Sequence, residues 1–207
     1  MRILRCLIIV FATAATFTTA LADDTSRASA VAQLLERNAC PKCNLAQADL
    51  SGKNLIGADL SGANLMGANL AGTNLMGADI SHATLNGANL ARANISGANL
   101  AGSQLTNANG DDAVASRTNL VQAVAAGASF RRAKFEYANF EGAELTGAVF
   151  EGTDLYEARF LFSELTGSTF EGADLSAADF SDANLSGMRT DAKTTCPNFQ
   201  VGPCNFK

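Results

Sequence analysis

The chain has 207 residues and is acidic, with 20 Asp and Glu against 15 Lys and Arg and a single His. A net charge of −5 disfavours direct nucleic-acid binding, which needs a basic surface to neutralise phosphates. Tryptophan is absent, and no phosphate loop, catalytic triad or metal-ligand cluster appears at a recognisable spacing, so no cofactor and no metal are expected.

Arg2 and Arg5 precede an apolar run from Cys6 to Phe17. Ala20-Leu21-Ala22 has the small-x-small form of a cleavage site, and Asp23-Asp24 follow. The run is too short for a stable transmembrane span, so residues 1–22 read as a bacterial, Sec-type signal peptide rather than an uncleaved anchor. Cys6 lies too early for a lipoprotein attachment site. Cleavage removes two arginines and no acid, which moves the charge from −5 to −7. The mature chain is then expected in the periplasm or outside the cell, with no membrane span.

Asp24 or Thr25 is placed to cap a helix running to about Asn38, with Val31, Leu34 and Leu35 on one face. Cys40-Pro41-Lys42-Cys43 follows. A C-x-x-C pair is either a redox centre or a structural bridge. Redox chemistry wants its first cysteine at a helix N-terminus, where the dipole stabilises a thiolate. Here the helix precedes the motif, which favours the bridge.

From Leu45 to Leu105 a large aliphatic residue falls at every fifth position, and the phase persists to Leu185. A small residue lies two before nearly every one, Asn or Asp lies between, and Gly usually lies two after. Five residues advance about 500° on an α-helix, which scatters the leucines around the rod. A flat strand alternates with period two and points every second leucine into water. A short extended piece followed by a corner resolves both conflicts. Leu and Ala then face inward, with Asn, Asp, Ser and Gly outside and Gly easing the turn.

Units such as Ala63-Asn64-Leu65-Met66-Gly67 resemble the pentapeptide-repeat family, and the leader makes this chain similar to a secreted member. The resemblance implies an all-β fold, a right-handed quadrilateral β-helix with four units, or twenty residues, per coil. Residues 44–187 would form this solenoid. Residues 23–43 would supply an N-terminal capping helix and the C-x-x-C segment, covering lumen leucines and unpaired backbone at the open end. A partner-binding helix is the other role considered. Residues 188–207 would form a bridged C-terminal cap in which Phe199 or Phe206 plugs the last coil.

On that coil, about seven rises of roughly 4.8 Å separate Cys40 and Cys43 from Cys196 and Cys204. A disulfide needs Cα atoms within about 7 Å, so the pairs Cys40–Cys43 and Cys196–Cys204 are expected. The twenty-residue spacing also stacks Phe130, Phe150 and Phe170 in one lumen column and Phe140, Phe160 and Phe180 in another. Gly110 and Ala115 stand where large residues are due. Because two small centres would leave voids, residues 110–117 are expected to be irregular, as a loop or a deformed corner.

Most outward positions are polar. Glu144 and Glu164 fall one coil apart on one face, and a solvated acidic surface is favoured there over a weak cation site. His82 reads as a surface residue. Tyr137, Tyr156, Leu161 and Phe162 break the polar rule within little more than one coil. They form the candidate partner-binding patch, unless Leu161 and Phe162 lie under a loop or the tail. Ile56, Met66 and Met76 look scattered and incidental.

The resulting expectation is a non-catalytic periplasmic or secreted module for protein–protein interaction or architecture, with another protein as partner. One alternative is a DNA-mimicking, gyrase-inhibitor-like protein, as some cytosolic relatives are, dimerising through their C-terminal ends. Another is a thiol–disulfide protein using Cys40 and Cys43.

Overall fold

The computed structural model describes residues 24–206. The expected signal segment, 1–22, lies outside the described residues. Helix α1 spans 24–37. From Ala39 onward the chain advances in five-residue units, each with one bridging residue and one two-residue turn. Among the described residues, no helix is long and apolar enough to cross a membrane.

One local device makes each corner, and a second reinforces those that follow an Asn or Asp. A backbone hydrogen bond closes the turn, as where Ala68 N–H donates to Leu65 O at 3.0 Å. The turn's third residue is left-handed while its second is not, as at Gly67 with φ 63°, which defines a type II turn. The Asn or Asp just before the inward leucine also bends the chain. Asn64 Oδ1 accepts the Met66 N–H at 3.1 Å, and Asp59 Oδ1 accepts the Ser61 N–H at 3.0 Å. The polar member of the unit is therefore part of the fold.

Four corners return the chain to its starting side. Each bridging residue pairs in parallel with the residue twenty further on, such as Asn44 with Asn64 and Asn64 with Thr84. Four such ladders make four faces. The first runs from Ala39 to Asp179, the second from Asn44 to Asn184, the third from Asp49 to Arg189, and the fourth from Asn54 to Asp174. We call the corner between first and second faces the first corner, and that between fourth and first faces the fourth corner. Side-chain amides extend the ladders outside, as where Asn89 Nδ2 donates to Asn69 Oδ1 at 3.2 Å.

The lumen holds the leucines and the small residues two before them, all essentially inaccessible from Leu45 to Phe170. Hydroxyls that replace the small residue are satisfied by the backbone. Thr73, Thr118 and Thr153 donate to the carbonyls of Leu50, Ile95 and Phe130 at 2.7–2.8 Å. Both phenylalanine columns stand where the twenty-residue spacing puts them. Phe140, Phe160 and Phe180 stack at 4.8 Å, and Phe150 stacks on Phe170 at 4.8 Å. Rings of different columns meet edge to face.

The expected irregularity at 110–117 is absent. Gly110 N–H bonds to Ser129 O at 2.7 Å and Ala115 N–H to Lys134 O at 2.7 Å, so the coil continues unbroken. The sequence reading failed because it assigned each unit its own volume. A Cβ on Gly110 would stand 2.7 Å from Phe130 Cδ1, so the Phe130 ring occupies the space that Gly110 leaves. Phe135, one coil above Ala115, is fully buried against Phe130 at 5.2 Å.

Both ends are covered. Helix α1 buries Leu34 in the core and lays Ala30 and Val31 against it. At the other end an extra residue enters the last coil, so that Asp174 pairs with Thr195 rather than a residue twenty on. Asp191 holds this widened turn, accepting the N–H groups of Gly172 at 2.8 Å and Lys193 at 3.0 Å. The tail then folds back, and Phe206 packs edge-on against Phe180 at 5.1 Å while Phe199 stays exposed.

Cys40 is bonded to Cys43 and Cys196 to Cys204, each with Cα atoms 5.4 Å apart. The C-x-x-C segment is itself a corner: Cys43 N–H donates to Cys40 O, and Lys42 is left-handed at φ 57°. Its cysteines occupy the two inward positions that Leu and Ala hold elsewhere. A β-turn brings those positions within disulfide reach. Cys40 is wholly buried, with Sγ 3.4 Å from Ala30 O of α1.

The packing exchange at Gly110 yields a test. Gly110→Leu restores the usual residue of the repeat but overpacks the Phe130 ring, with an expected loss of about 1–3 kcal/mol in chemical denaturation. Adding Phe130→Leu is expected to recover most of that loss, since Leu stacks on Leu in the earlier coils.

Candidate functional site

The four residues of the proposed aromatic patch lie on two corners. Tyr137 and Tyr156 meet at the fourth corner. Tyr137 is the third residue of its turn, and Tyr156 is the second residue of the turn one coil above. Their backbones are joined by Tyr137 N–H to Tyr156 O at 2.9 Å, and their rings meet edge to face at 5.6 Å and 84°. Leu161 and Phe162 lie at the first corner. The first face, with its Arg159–Glu141 ion pair at 3.3 Å, separates the two sets. Leu161 is half-buried and Phe162 is 61% exposed, and neither a loop nor the tail covers the Phe162 ring.

The fourth corner has more around it than its tyrosines. An open groove of about 660 Å³ runs along it from Met76, past Ser96, Ser116 and Arg117, to Tyr137, Tyr156 and Asp174. It spans five coil rises, or about 24 Å. Ile56 and Met76 are successive members of this same corner and are both exposed, so they are aligned rather than scattered. Reading outward positions in columns of twenty, as was done for the lumen phenylalanines, would have found this alignment.

Charge is concentrated at the tyrosine end. Arg117, one coil below Tyr137, sets its guanidinium carbon 5.4 Å from the Tyr137 ring centre. Glu136 accepts a hydrogen bond from Ser116 Oγ. Asp154 stands on the fourth face between Lys134 and Asp174, and its Oδ1 accepts the Tyr156 N–H at 3.1 Å. Burial pushes the Asp154 carboxyl above the ordinary carboxylate range, and Glu136 and Asp174 add to the rise while the Tyr156 N–H and Lys134 oppose it. The Tyr156 hydroxyl is raised too, chiefly by its hydrogen bond to the Glu157 carboxylate. This is a partly desolvated acidic end beside two aromatic rings.

Tyr137, Arg117 and Phe162 also share a left-handed turn position, as do non-glycine residues at other turns such as Gln47, Arg92, Gln122 and Ala177. Tyr137 and Arg117 take φ of 60°, and Phe162 takes 57°, at a turn position where Gly is relaxed and an L side chain is not. The other candidates carry less. Glu144 and Glu164 are ladder neighbours, but Glu164 is already engaged by Thr166 and Asn184 Nδ2, hydrogen bonds that lower its pKa. Among the described residues no group of three His, Cys, Asp or Glu is placed to hold a metal. His82 occupies a first-corner turn position, with its ring against Gly102.

Two outcomes follow. Phe162→Gly removes a left-handed aromatic residue without opening the lumen, and is expected to raise stability by about 1 kcal/mol in thermal unfolding. Asp154→Asn keeps the Oδ1 acceptor and restores the residue found at Asn54, Asn74 and Asn94 of this face. A carboxyl with a raised folded pKa opposes folding once ionised, a penalty complete above that pKa and absent below the unfolded value. The variant is therefore expected to melt above wild type at neutral pH, the gap closing as pH falls from the raised pKa of Asp154 to the ordinary aspartate value.

Comparison with known proteins places this geometry. Pentapeptide repeats match the chain in eight copies, over residues 43–81, 73–109, 111–147, 137–172 and 153–189. The chain is similar in structure to HetL, a pentapeptide repeat protein involved in heterocyst differentiation regulation from the cyanobacterium Nostoc sp. Identity is 26%, with a TM-score of 0.54 over 79% of this chain and 82% of HetL. A pentapeptide repeat protein of the Arabidopsis thaliana thylakoid lumen is 32% identical over 54% of this chain and 68% of its own, with a TM-score of 0.24. QnrB1, a plasmid-mediated fluoroquinolone resistance protein, is 20% identical over 72% of this chain and 88% of its own, with a TM-score of 0.34. No curated protein matches the sequence. The chain belongs to the pentapeptide repeat family, whose members fold as right-handed quadrilateral β-helices.

Proposed function

We propose that this protein is a secreted or periplasmic, non-catalytic rod, capped by α1 and by its disulfide-bearing tail, that binds another protein along its fourth corner. The observation that carries the reading is Tyr137. An exposed aromatic ring is held there in left-handed backbone, edge-on to a second tyrosine and open to a groove. An exposed aromatic pair beside a groove does nothing for the lumen, and exposed aromatic rings are enriched at binding surfaces. The regulatory involvement of HetL supports an interaction role over a purely architectural one. Two disulfides in a chain of this size suit an oxidising compartment.

The competing readings draw less support. A DNA mimic would use the acidic second half, but the tail folded over Phe180 covers the end through which such dimers form. Thiol exchange at Cys40 would require access to a sulfur buried under α1.

In-cell crosslinking distinguishes the corners. A partner captured by wild type is expected to persist with Phe162→Gly and to be lost with Tyr137→Gly combined with Tyr156→Ser, all three proteins being folded. A partner indifferent to the tyrosine changes, or lost only with the Phe162 change, would move the interaction elsewhere on the rod.

A further inference from the structure

We infer that the fourth-corner groove binds an extended, basic peptide segment of its partner, placing a Lys or Arg side chain between the tyrosine rings and the carboxylates of Glu136, Asp154 and Asp174. The inference rests on the interaction reading above and names the chemistry of what is bound.

Shape comes first. The groove follows the rod axis for about 24 Å, the length of about seven residues of extended chain at roughly 3.3 Å each. Strand addition is not available along this side, because the backbone groups of each coil are already spent on the coils above and below. Recognition must therefore come from side chains. The groove grades from apolar at Met76, through polar Ser96 and Ser116, to aromatic and acidic at Tyr137, Tyr156, Asp154 and Asp174.

Charge comes second. The fourth-face rungs run Asn54, Asn74, Asn94, Val114 and Lys134 before they turn acidic, so the ladder itself asks for no carboxylate. At 154 and 174 the same rung is Asp, and burial with the repulsion of Glu136 and Asp174 outweighs the help that Asp154 gets from the Tyr156 N–H and from Lys134 one rung below. The fold gains nothing from these charges that Asn would not supply. A bound cation would relieve the repulsion, so the cost in the free protein becomes affinity in the complex.

The third point is that the protein already places a cation here. The guanidinium of Arg117 lies against the Tyr137 ring, the geometry expected for an incoming basic side chain. Arg117 is itself a left-handed residue where Gly is usual. It acts as an internal competitor that a ligand must displace or share the rings with.

The test uses a property of the composition. Tyr137 and Tyr156 are the only two tyrosines and tryptophan is absent, so tyrosine emission reports this groove alone. The probe is a capped Ala-Arg-Ala-Arg-Ala-Arg-Ala peptide, with its glutamate counterpart as control. Wild type is expected to show a saturable emission change with the arginine peptide only, weakened by salt. Combining Glu136→Gln, Asp154→Asn and Asp174→Asn should weaken binding by about tenfold or more, while Arg117→Gly should tighten it several-fold. No saturable change with the arginine peptide, an equal response to the glutamate peptide, or unaltered affinity in the triple variant would overturn the inference. If the crosslinked partner still depends on Tyr137 and Tyr156 while the arginine peptide is silent, the docking role stands and its basic character falls. If the peptide binds but the partner survives the tyrosine changes, the basic groove stands and the partner's docking place is elsewhere.

Discussion

A corner every five residues is the constraint on which the structure depends. The turn must take its third residue left-handed, its approach is in many units bent by an Asn or Asp oxygen, and its exit must face a rung twenty residues away. Once these hold, the cross-section of the lumen is fixed. Side chains inside it cannot spread sideways, so volume is exchanged along the axis between successive coils. The Phe130 ring in the space left by Gly110 is that exchange, and the stacked phenylalanines above it are the same rule with larger members.

Much of this was legible in the sequence, because period five, the inward Leu and the small residue before it are local facts. What escaped was relational. Gly110 and Ala115 looked like a break when each unit was judged alone, since the rings that complement them come twenty residues later. Tyr156 and Phe162 looked like neighbours because six residues separate them, yet the coil puts them on different corners. Tyr137 and Tyr156, nineteen apart, are in contact. Met76 looked incidental until its column was followed upward to Arg117 and Tyr137. The C-x-x-C segment was separated from the repeat by its chemistry, although its cysteines hold the ordinary inward positions of a corner.

The division of labour between faces and corners follows from the same geometry. Faces carry the ladders, and their outward residues are occupied with capping turns and bridging coils. Corners carry side chains that the fold does not use. A bulky residue there costs strain rather than packing, so Tyr137, Phe162 and Arg117 can stand at positions that glycine holds in other coils, as at Gly57, Gly77 and Gly97. A solenoid of this kind can change what it displays without disturbing what holds it up.

The extra residue in the last coil has a consequence for assembly. A solenoid with open, in-phase ends can add a second copy head to tail, and a third, with no symmetry to close the series. Here the shift from Thr169–Arg189 pairing to Asp174–Thr195 pairing throws the following chain out of step, and the tail turns antiparallel at Thr195–Val201. At the opposite end α1 lies across the first coil. At the tail end an incoming rod would meet chain that is out of step with its own rungs, and at the other end it would meet the helix before the first coil, so both ends oppose stacking of one rod on the next.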